Sequence, residues 1–285
     1  MVMRKCLSHY RRLIDLSVRT SNCFNRNLEE INFMTGESSS KGVLAKAIKG
    51  DYLYKTGTFT KPKFSVVEPV IECICCDILE LMRIKHASYE LVNVIVKPND
   101  LWRKQEIVCC RSKLFTNSTS RFISGKVYTK NKKNYENIVE SLGKKFRVDV
   151  NNMIVFDYLV NNTDRHHNNF GFLVNESKNE IEFAPLFDHG FSLCADFDDS
   201  YLKGENLNDI ILDCDYSKLC CGCNYEQLEL IDSCSCNLDF SYEDLCNIVD
   251  RYSNFLPDYK VIVIKELLKV RLNKLKEVLK WKGII

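Results

Sequence analysis

The pattern of apolar and polar positions predicts strands and one buried helix in the first part of the chain. Aromatic residues occupy alternate positions in Asp51–Lys55, which is typical of a strand. Tyr89–Val96 and Glu106–Arg111 are interpreted as two further strands. Between the first strand and these two, Glu68–Met82 has the spacing of an amphipathic helix. Its apolar positions are Ile71, Cys75, Ile78, Leu79 and Met82.

The middle of the chain is predicted to form a short helix, a loop and a hairpin. Met153–Asn161 is mostly apolar, and polar residues then indicate a loop. Phe170–Val174 is interpreted as a strand, Asn175–Asn179 as a turn and Ile181–Phe187 as the returning strand. Asp188 therefore falls at the end of the hairpin, near the place where the first strand began.

The last third of the chain is predicted to be helical. Ser241 and Asp244 resemble a capping box, with Asp in place of the usual Glu. Tyr259–Lys282 has apolar residues at helical spacing, namely Ile264, Leu268, Leu272, Leu275 and Leu279. The order of elements indicates an α+β class. We divide the chain into a small β-rich part, 1–115, and a mostly helical part, 116–285.

The stretch between Asp157 and Asp188 concentrates groups suited to phosphoryl transfer. That reaction requires mainly that the reacting oxygens lie in line and that phosphate charge is neutralised. Asp188 offers a carboxylate of the kind that Mg²⁺ binds together with substrate phosphates, and Asn169 offers a neutral carbonyl oxygen. Asp164 lies five residues before Asn169 in the same loop and would accept or orient the attacking hydroxyl.

The segments DRHHNN and PLFDHG resemble the signature of the HipA-like serine/threonine kinases, a DRH-x-x-N loop followed by a later aspartate. The phosphoinositide 3/4-kinases, distant structural relatives, have the same loop pattern. The resemblance implies a two-lobed protein-kinase-like fold with ATP and Mg²⁺ as cofactors. It implies Asp164 as the catalytic base, with Asn169 and Asp188 as metal ligands. On this interpretation His166 is a buried support of the loop, while His167 and His189 have no assigned role.

The resemblance extends over Thr35–Leu193 through recognisable motifs. The chain is shorter than full-length HipA proteins, and we expect it to lack their extra N-terminal subdomain. Compact relatives exist, including translocated bacterial kinases. Three points therefore stay open: the protein substrate, a role as a toxin or a secreted effector, and the binding of an antitoxin or a small accessory protein.

A kinase also needs a lysine in its smaller lobe, together with an acidic partner. We predict that Lys55 reaches the α- and β-phosphates and that Glu72 orients it, with Glu68 as the rival one helical turn earlier. The run from Glu72 to Tyr89 resembles the helix of the family, followed by a His-x-x-Tyr turn into a strand. The alternative is an exposed lysine and a solvated glutamate.

The segment Thr35–Gly42 has two glycines separated by small hydroxyl residues, which let backbone N–H groups approach phosphate oxygens. It does not match a Walker A loop, but it loosely resembles the phosphate-covering loop of HipA-like kinases, where a serine can be autophosphorylated. The candidate nucleotide-binding residues here are Ser38, Ser39, Ser40 and Lys41. A plain flexible linker is the alternative. The hinge that binds adenine is placed near Cys110–Lys113, with Cys110 as the candidate contact.

Composition and charge bear on the partners, the location and the redox state of the cysteines. With 40 basic and 38 acidic residues, the net charge is +2, and we expect no direct nucleic-acid binding. The N-terminus has no apolar export signal, and no run of about 18 apolar residues occurs, so we predict a cytoplasmic protein outside the membrane. The 15 cysteines are then expected to be reduced thiols.

Two other functions stay open beside an active kinase. A kinase fold without turnover would act as a binding protein, although it would have no physical need for the full set of site residues. A metallohydrolase would use Asp164, His166, His167, Asp188 and His189 as ligands. Independently of these, a structural zinc site has suitable spacing at Cys220, Cys223, Cys234 and Cys236.

Overall fold

The computed structural model describes residues 28–34, 44–197, 211 and 215–285. Its first strands are β1 (Glu29–Ile31), β2 (Leu44–Lys49), β3 (Tyr52–Thr60), β4 (Lys63–Phe64), β5 (Tyr89–Val96) and β6 (Gln105–Lys113). They form one sheet in the order β1-β5-β6-β3-β2, with β4 beside β3. Only β1 and β5 pair in parallel among the pairs of this sheet. Met34 also pairs with Lys46 of β2, so the sheet curls until its edges meet.

The curled sheet encloses a core of its own. Ala45 and Ala47 of β2 face inward and are buried, whereas Lys46 and Ile48 face outward. The rest of this core consists of Ile31, Phe33, Tyr54, Val92, Val94, Val96, Trp102, Ile107 and Cys109. Lys46 pairs with Lys55 of β3 in the register, and residues directly opposite share a face. The outer face of the sheet therefore presents both lysines to the remainder of the molecule.

The helix α1 (Val67–Leu81) lies between this sheet and the helical part. It is buried almost all round, as expected for a helix covered on opposite sides. Its core neighbours include Tyr89 and Leu91 of β5. After the helix, Arg83 has a φ of 55°, and the chain turns into the next strand. The prediction of a helix over Glu68–Met82 is confirmed with a shift of one residue.

The remaining described elements form the mostly helical part. They are β7 (Ser120–Ser124), α2 (Gly125–Thr129), α3 (Tyr135–Leu142), α4 (Arg147–Val160), β8 (Gly171–Asn175), β9 (Glu180–Phe183), α5 (Asn224–Leu230), α6 (Tyr242–Asp250) and α7 (Asp258–Trp281). The strands β7, β8 and β9 pair as an antiparallel sheet. The apolar sides of α1, α4, α6 and α7 share one core. The capping box at α6 is confirmed, because Ser241 and Asp244 exchange both bonds.

The predicted start of α4 is wrong by six residues, since the helix begins at Arg147 and not at Met153. The reason is Asn151, a polar residue inside the helix that is fully buried. Its side chain accepts a bond from Tyr135 (2.5 Å) and donates to the carbonyl of Ser233 (2.8 Å). A buried and satisfied amide is compatible with a helix interior, although it breaks the apolar pattern.

The predicted end of the hairpin is also wrong, because β9 stops at Phe183 and not at Phe187. Pro185 follows, and proline has no N–H to continue the ladder. Leu186 instead forms a parallel bridge with His86, in the turn between α1 and β5. The segment that leads to Asp188 is thereby attached to the β-rich part.

The α+β class is confirmed, with a curled sheet followed by a mostly helical part. The division of the chain at residue 115 stays a prediction. Among the residues that the structure describes, no helix has both the length and the apolar character needed to cross a bilayer.

Candidate active site

The loop after α4 holds Asp164 and Asn169 in a fixed relation. Asn161 ends the helix in the left-handed region, with a φ of 49°, which asparagine tolerates. The side-chain oxygen of Asn162 accepts the N–H of Asp164 (3.0 Å). The Nδ2 of Asn169 donates to the carbonyl of Asp164 (2.9 Å), which leaves Oδ1 of Asn169 suited to be a metal ligand.

A buried arginine joins this loop to the segment before Asp188. Arg165 forms a bidentate pair with Asp157 of α4, at 2.8 and 2.9 Å. Its Nη1 donates to the carbonyls of Asn169 (2.6 Å) and Phe187 (2.9 Å). Charge-assisted, bidentate bonds of this kind are strong and directional. Arg165 has no role in the sequence-based prediction, although Asp157, an acid within an apolar helix, indicates that a buried partner exists.

Asp188 lies at the end of that segment in a left-handed conformation, with a φ of 65°. Its carboxylate accepts from Nζ of Lys55 (2.9 Å) and lies 3.6 Å from Nζ of Lys46. Burial raises the pKa of Asp188, but the charges of Lys55 and Lys46 outweigh burial and hold the pKa well below its ordinary value. Asp188 is therefore an anion in an uncommon backbone conformation, and such conformations cluster at functional sites.

Lys55 and Glu72 form a buried ion pair of 2.7 Å between β3 and α1. The second oxygen of Glu72 accepts the backbone N–H of His189 (2.9 Å). Burial lowers the pKa of Lys55, but the charges of Asp188 and Glu72 outweigh burial and hold the pKa well above its ordinary value. The amine is therefore protonated. The rival acid, Glu68, binds the backbone of β3 instead. The structure thus brings Lys55, Glu72 and Asp188 together.

Asp164 is in contact with the side chains of Lys218 and His166. Its Oδ1 accepts a bond from Nζ of Lys218, and its Oδ2 lies 4.0 Å from Nε2 of His166. The His166 side chain is 41% exposed, so the prediction that it is a buried support of the loop is wrong. The loop turns so that the following histidine points inward.

The buried supports are His167 and His189. His167 lies between the hydroxyl of Thr129 (2.6 Å) and the carbonyl of Leu219 (3.3 Å), so its Nε2 donates to that carbonyl. His189 accepts from Nη2 of Arg165 at 3.0 Å. Burial lowers the pKa of both histidines, and the charge of Arg165 lowers that of His189 further. Both are therefore neutral hydrogen-bonding groups.

Apolar side chains flank the charged residues. Ile48 and Leu53 pair in the register and share the outer face of the sheet with the lysines, and Ile48 is 66% exposed. Phe187, directly before the candidate metal aspartate, packs at 5.6 Å against Phe115, just beyond β6. Such surfaces are suited to contact with a nucleotide base.

The predicted hinge lies within the sheet. Cys110 pairs with Lys55 of β3 and with Leu91 of β5, so a neighbouring strand lies on each side of its backbone. Because β6 continues to Lys113, the chain leaves the sheet only at Leu114. The phosphate-loop candidates lie outside the described residues, namely Ser38, Ser39, Ser40 and Lys41.

Transition-metal sites find no support in the part of the chain that the structure describes. It contains no group of three or more His, Cys, Asp or Glu side chains arranged to hold a metal ion. The metallohydrolase ligands and the four-cysteine zinc site are therefore not assembled there. Asp188 and Asn169 instead offer a carboxylate and an amide oxygen, the hard ligands that Mg²⁺ prefers.

The arrangement is that of the kinase class of folds. A lysine on a curled sheet pairs with a glutamate of the helix behind it, a loop carries Asp and Asn, and a further aspartate follows a hairpin. Among solved structures, the chain is similar to the Helicobacter pylori proinflammatory kinase CtkA, with a TM-score of 0.62 and 18% identity over 90% of this chain and 99% of that one. The expected HipA-like kinase fold is confirmed by this likeness, which establishes the fold alone.

A second solved structure is HipA of a Shewanella oneidensis MR-1 toxin–antitoxin system, in complex with HipB and operator DNA. It matches with a TM-score of 0.43 and 14% identity over 95% of this chain and 72% of that one. No family model matches the sequence, and no curated protein matches it significantly.

Proposed function

We propose that this chain is a HipA-like protein kinase that depends on Mg²⁺ and ATP and phosphorylates serine or threonine. The observation that carries the proposal is the contact of Lys55 with both Glu72 and Asp188. These residues lie far apart in the chain, and Glu72 is also bonded to the backbone of His189. Burying such charges is unfavourable unless each is paired, and a binding scaffold has no need for the arrangement.

The residues of the candidate site are assigned to the base, the phosphates and the metal ion of the bound nucleotide. Ile48 and Leu53 would contact the base, and the segment that begins at Leu114 would supply backbone hydrogen bonds to it. Lys55 would bind the α- and β-phosphates. Asp188 and Asn169 would hold Mg²⁺, which when bound neutralises phosphate charge.

The transfer itself needs a positioned acceptor. Asp164 would hold the acceptor hydroxyl and take its proton as the new bond to the γ-phosphorus forms. Arg165 positions the loop, because it bonds the carbonyl of Asn169 in the loop and that of Phe187 in the segment before Asp188. The neutral imidazole of His189 accepts a hydrogen bond from Arg165 and adds no second positive charge beside it.

The test is incubation of the purified chain with labelled ATP and Mg²⁺. Asp188→Asn should abolish metal-dependent nucleotide binding and transfer. Asp164→Asn should keep nucleotide affinity and reduce turnover by about 10²–10⁴-fold. The control is Asp239→Asn, at an exposed acid, which should behave like the wild type. Wild-type autophosphorylation in Asp188→Asn would refute the assignment.

Autophosphorylation is expected at Ser38, Ser39 or Ser40, where added phosphate charge would disfavour ATP phosphates in the same place. Mass spectrometry of the labelled protein identifies the serine. One similar structure is named as a proinflammatory kinase and the other as part of a toxin–antitoxin system. An effector or toxin role for this chain, and an antitoxin or accessory partner, stay proposals that co-purification from the source cell can test.

A further inference from the structure

The segment 215–223 places a lysine against the candidate catalytic base. Nζ of Lys218 donates to Oδ1 of Asp164. The two side chains are 37% and 23% exposed, so both can be reached by a substrate. The loop DRHHNN itself contains one permanently charged cation, Arg165, which is buried on Asp157. The loop contains no lysine, and its arginine is not available to the base, so a cation beside Asp164 has to come from another segment.

The position of Lys218 is fixed from two sides. Its backbone carbonyl accepts a bond from Nζ of Lys133 (2.6 Å). The next carbonyl, that of Leu219, accepts from Nε2 of His167 (3.3 Å), which belongs to the same loop as Asp164. The lysine and the carboxylate are thus held in one local framework.

We propose that Lys218 is a further catalytic residue of the phosphoryl transfer, an inference that rests on the proposed kinase activity. The acceptor hydroxyl must lie within hydrogen-bond distance of Asp164 if its proton is to be taken. A charged amine on the same carboxylate then lies within reach of the γ-phosphoryl oxygens as they approach the hydroxyl. Lys218 compensates the charge on those oxygens on the acceptor side, opposite Lys55.

The transfer balances without a further reactant. The hydroxyl oxygen bonds to the γ-phosphorus, and the bond from that phosphorus to the bridging oxygen breaks with its electron pair leaving on ADP. The hydroxyl proton passes to Asp164. Lys218 takes no part in the proton transfer, and its contribution is electrostatic stabilisation of the transition state.

A purely structural role makes a different prediction. Ion pairs between partly exposed side chains add little to stability, so loss of the Lys218 charge should leave the fold intact. If the lysine served only to hold the segment in place, Lys218→Met would lower the melting temperature and weaken nucleotide binding together with turnover.

The experiment compares Lys218→Met, Lys218→Arg and the wild type in Mg²⁺-ATP phosphoryl transfer, nucleotide binding and thermal melting. We expect kcat of Lys218→Met to fall by about 10- to 100-fold, with KM for ATP and the melting temperature changed little. Lys218→Arg keeps a cation and should regain part of kcat. The matched control is Lys126→Met, at an exposed lysine of α2 whose backbone N–H donates to the carbonyl of His167 in the same loop.

The outcomes distinguish failure of the proposed role of Lys218 from failure of the proposed kinase activity. A kcat of Lys218→Met within about twofold of the wild type, or an equal loss in Lys126→Met, overturns the role of Lys218 while the kinase activity stands. Loss of nucleotide binding in both Lys218 variants assigns the residue to structure and also overturns it. Absence of any Asp188-dependent transfer in the wild type overturns the proposed function, and this inference with it.

Discussion

Removal of the Arg165 guanidinium tests how the candidate site is held together. Arg165→Met keeps an aliphatic stem of similar length but loses the bonds to Asp157, to two backbone carbonyls and to His189. Asp157 is 2% exposed and would keep one bond, from Nδ2 of Asn162 (2.9 Å). The substitution therefore leaves a buried carboxylate without its cation.

The expected magnitude follows from that unpaired charge. Removing one partner of a buried ion pair destabilises a protein by about 3–5 kcal/mol, which is large beside a total of about 5–15 kcal/mol. Adding Asp157→Asn removes the charge, keeps one acceptor oxygen and replaces the other by an NH2 donor. The double variant should regain about 1–3 kcal/mol of the free energy of unfolding. Its phosphoryl transfer should not recover, because the carbonyls of Asn169 and Phe187 remain unbound.

The assay is urea unfolding followed by tryptophan fluorescence, together with transfer from Mg²⁺-ATP. The matched control is Arg121→Met, which removes an exposed arginine paired with Glu176 at 2.7 Å and should change the free energy of unfolding by at most about 1 kcal/mol. Wild-type stability in Arg165→Met, or a double variant that regains transfer along with stability, would refute the reasoning.

Two further predictions concern other buried polar groups. Tyr252→Phe removes a 2.9 Å bond to Asp77 of α1, and urea unfolding should show a loss of about 1–3 kcal/mol, whereas the exposed Tyr216→Phe should show none. Burial and the charge of Arg165 hold the pKa of His189 well below 6.5, so below about pH 6.5 the unfolded chain binds a proton that the folded protein does not. The free energy of unfolding should therefore fall as the pH drops from 7 to 5, and it should fall less in His189→Asn; an equal fall in both would contradict this.

Local patterns were sufficient for the parts of the fold that depend on nearby residues. The helix over α1 was predicted to within one residue, because its apolar spacing is regular, and β5 was predicted with its observed bounds. Asp164 and Asn169 lie five residues apart in one loop, so their proximity follows from the chain itself. Their catalytic roles stay predictions.

Contacts between distant segments could not be found in this way. Lys218 reaches Asp164 across 54 positions, and no motif marks it. His166 and His167 are adjacent, and which of them is buried depends on how the loop turns against Thr129 and Leu219. Tertiary packing determines which histidine is buried and which lysine contacts Asp164, and the local sequence pattern does not predict it.

The charges of the interior support our proposal that Asp188 binds the cation. Lys55 with Glu72, and Arg165 with Asp157, form two buried pairs whose charges cancel. Unpaired charges there would be strongly unfavourable, so Glu72 and Asp157 cannot leave their partners to bind a metal ion. The Asp188 side chain is 23% exposed, and its second oxygen lies 3.6 Å from the exposed amine of Lys46. A divalent cation can replace that amine without breaking a buried pair.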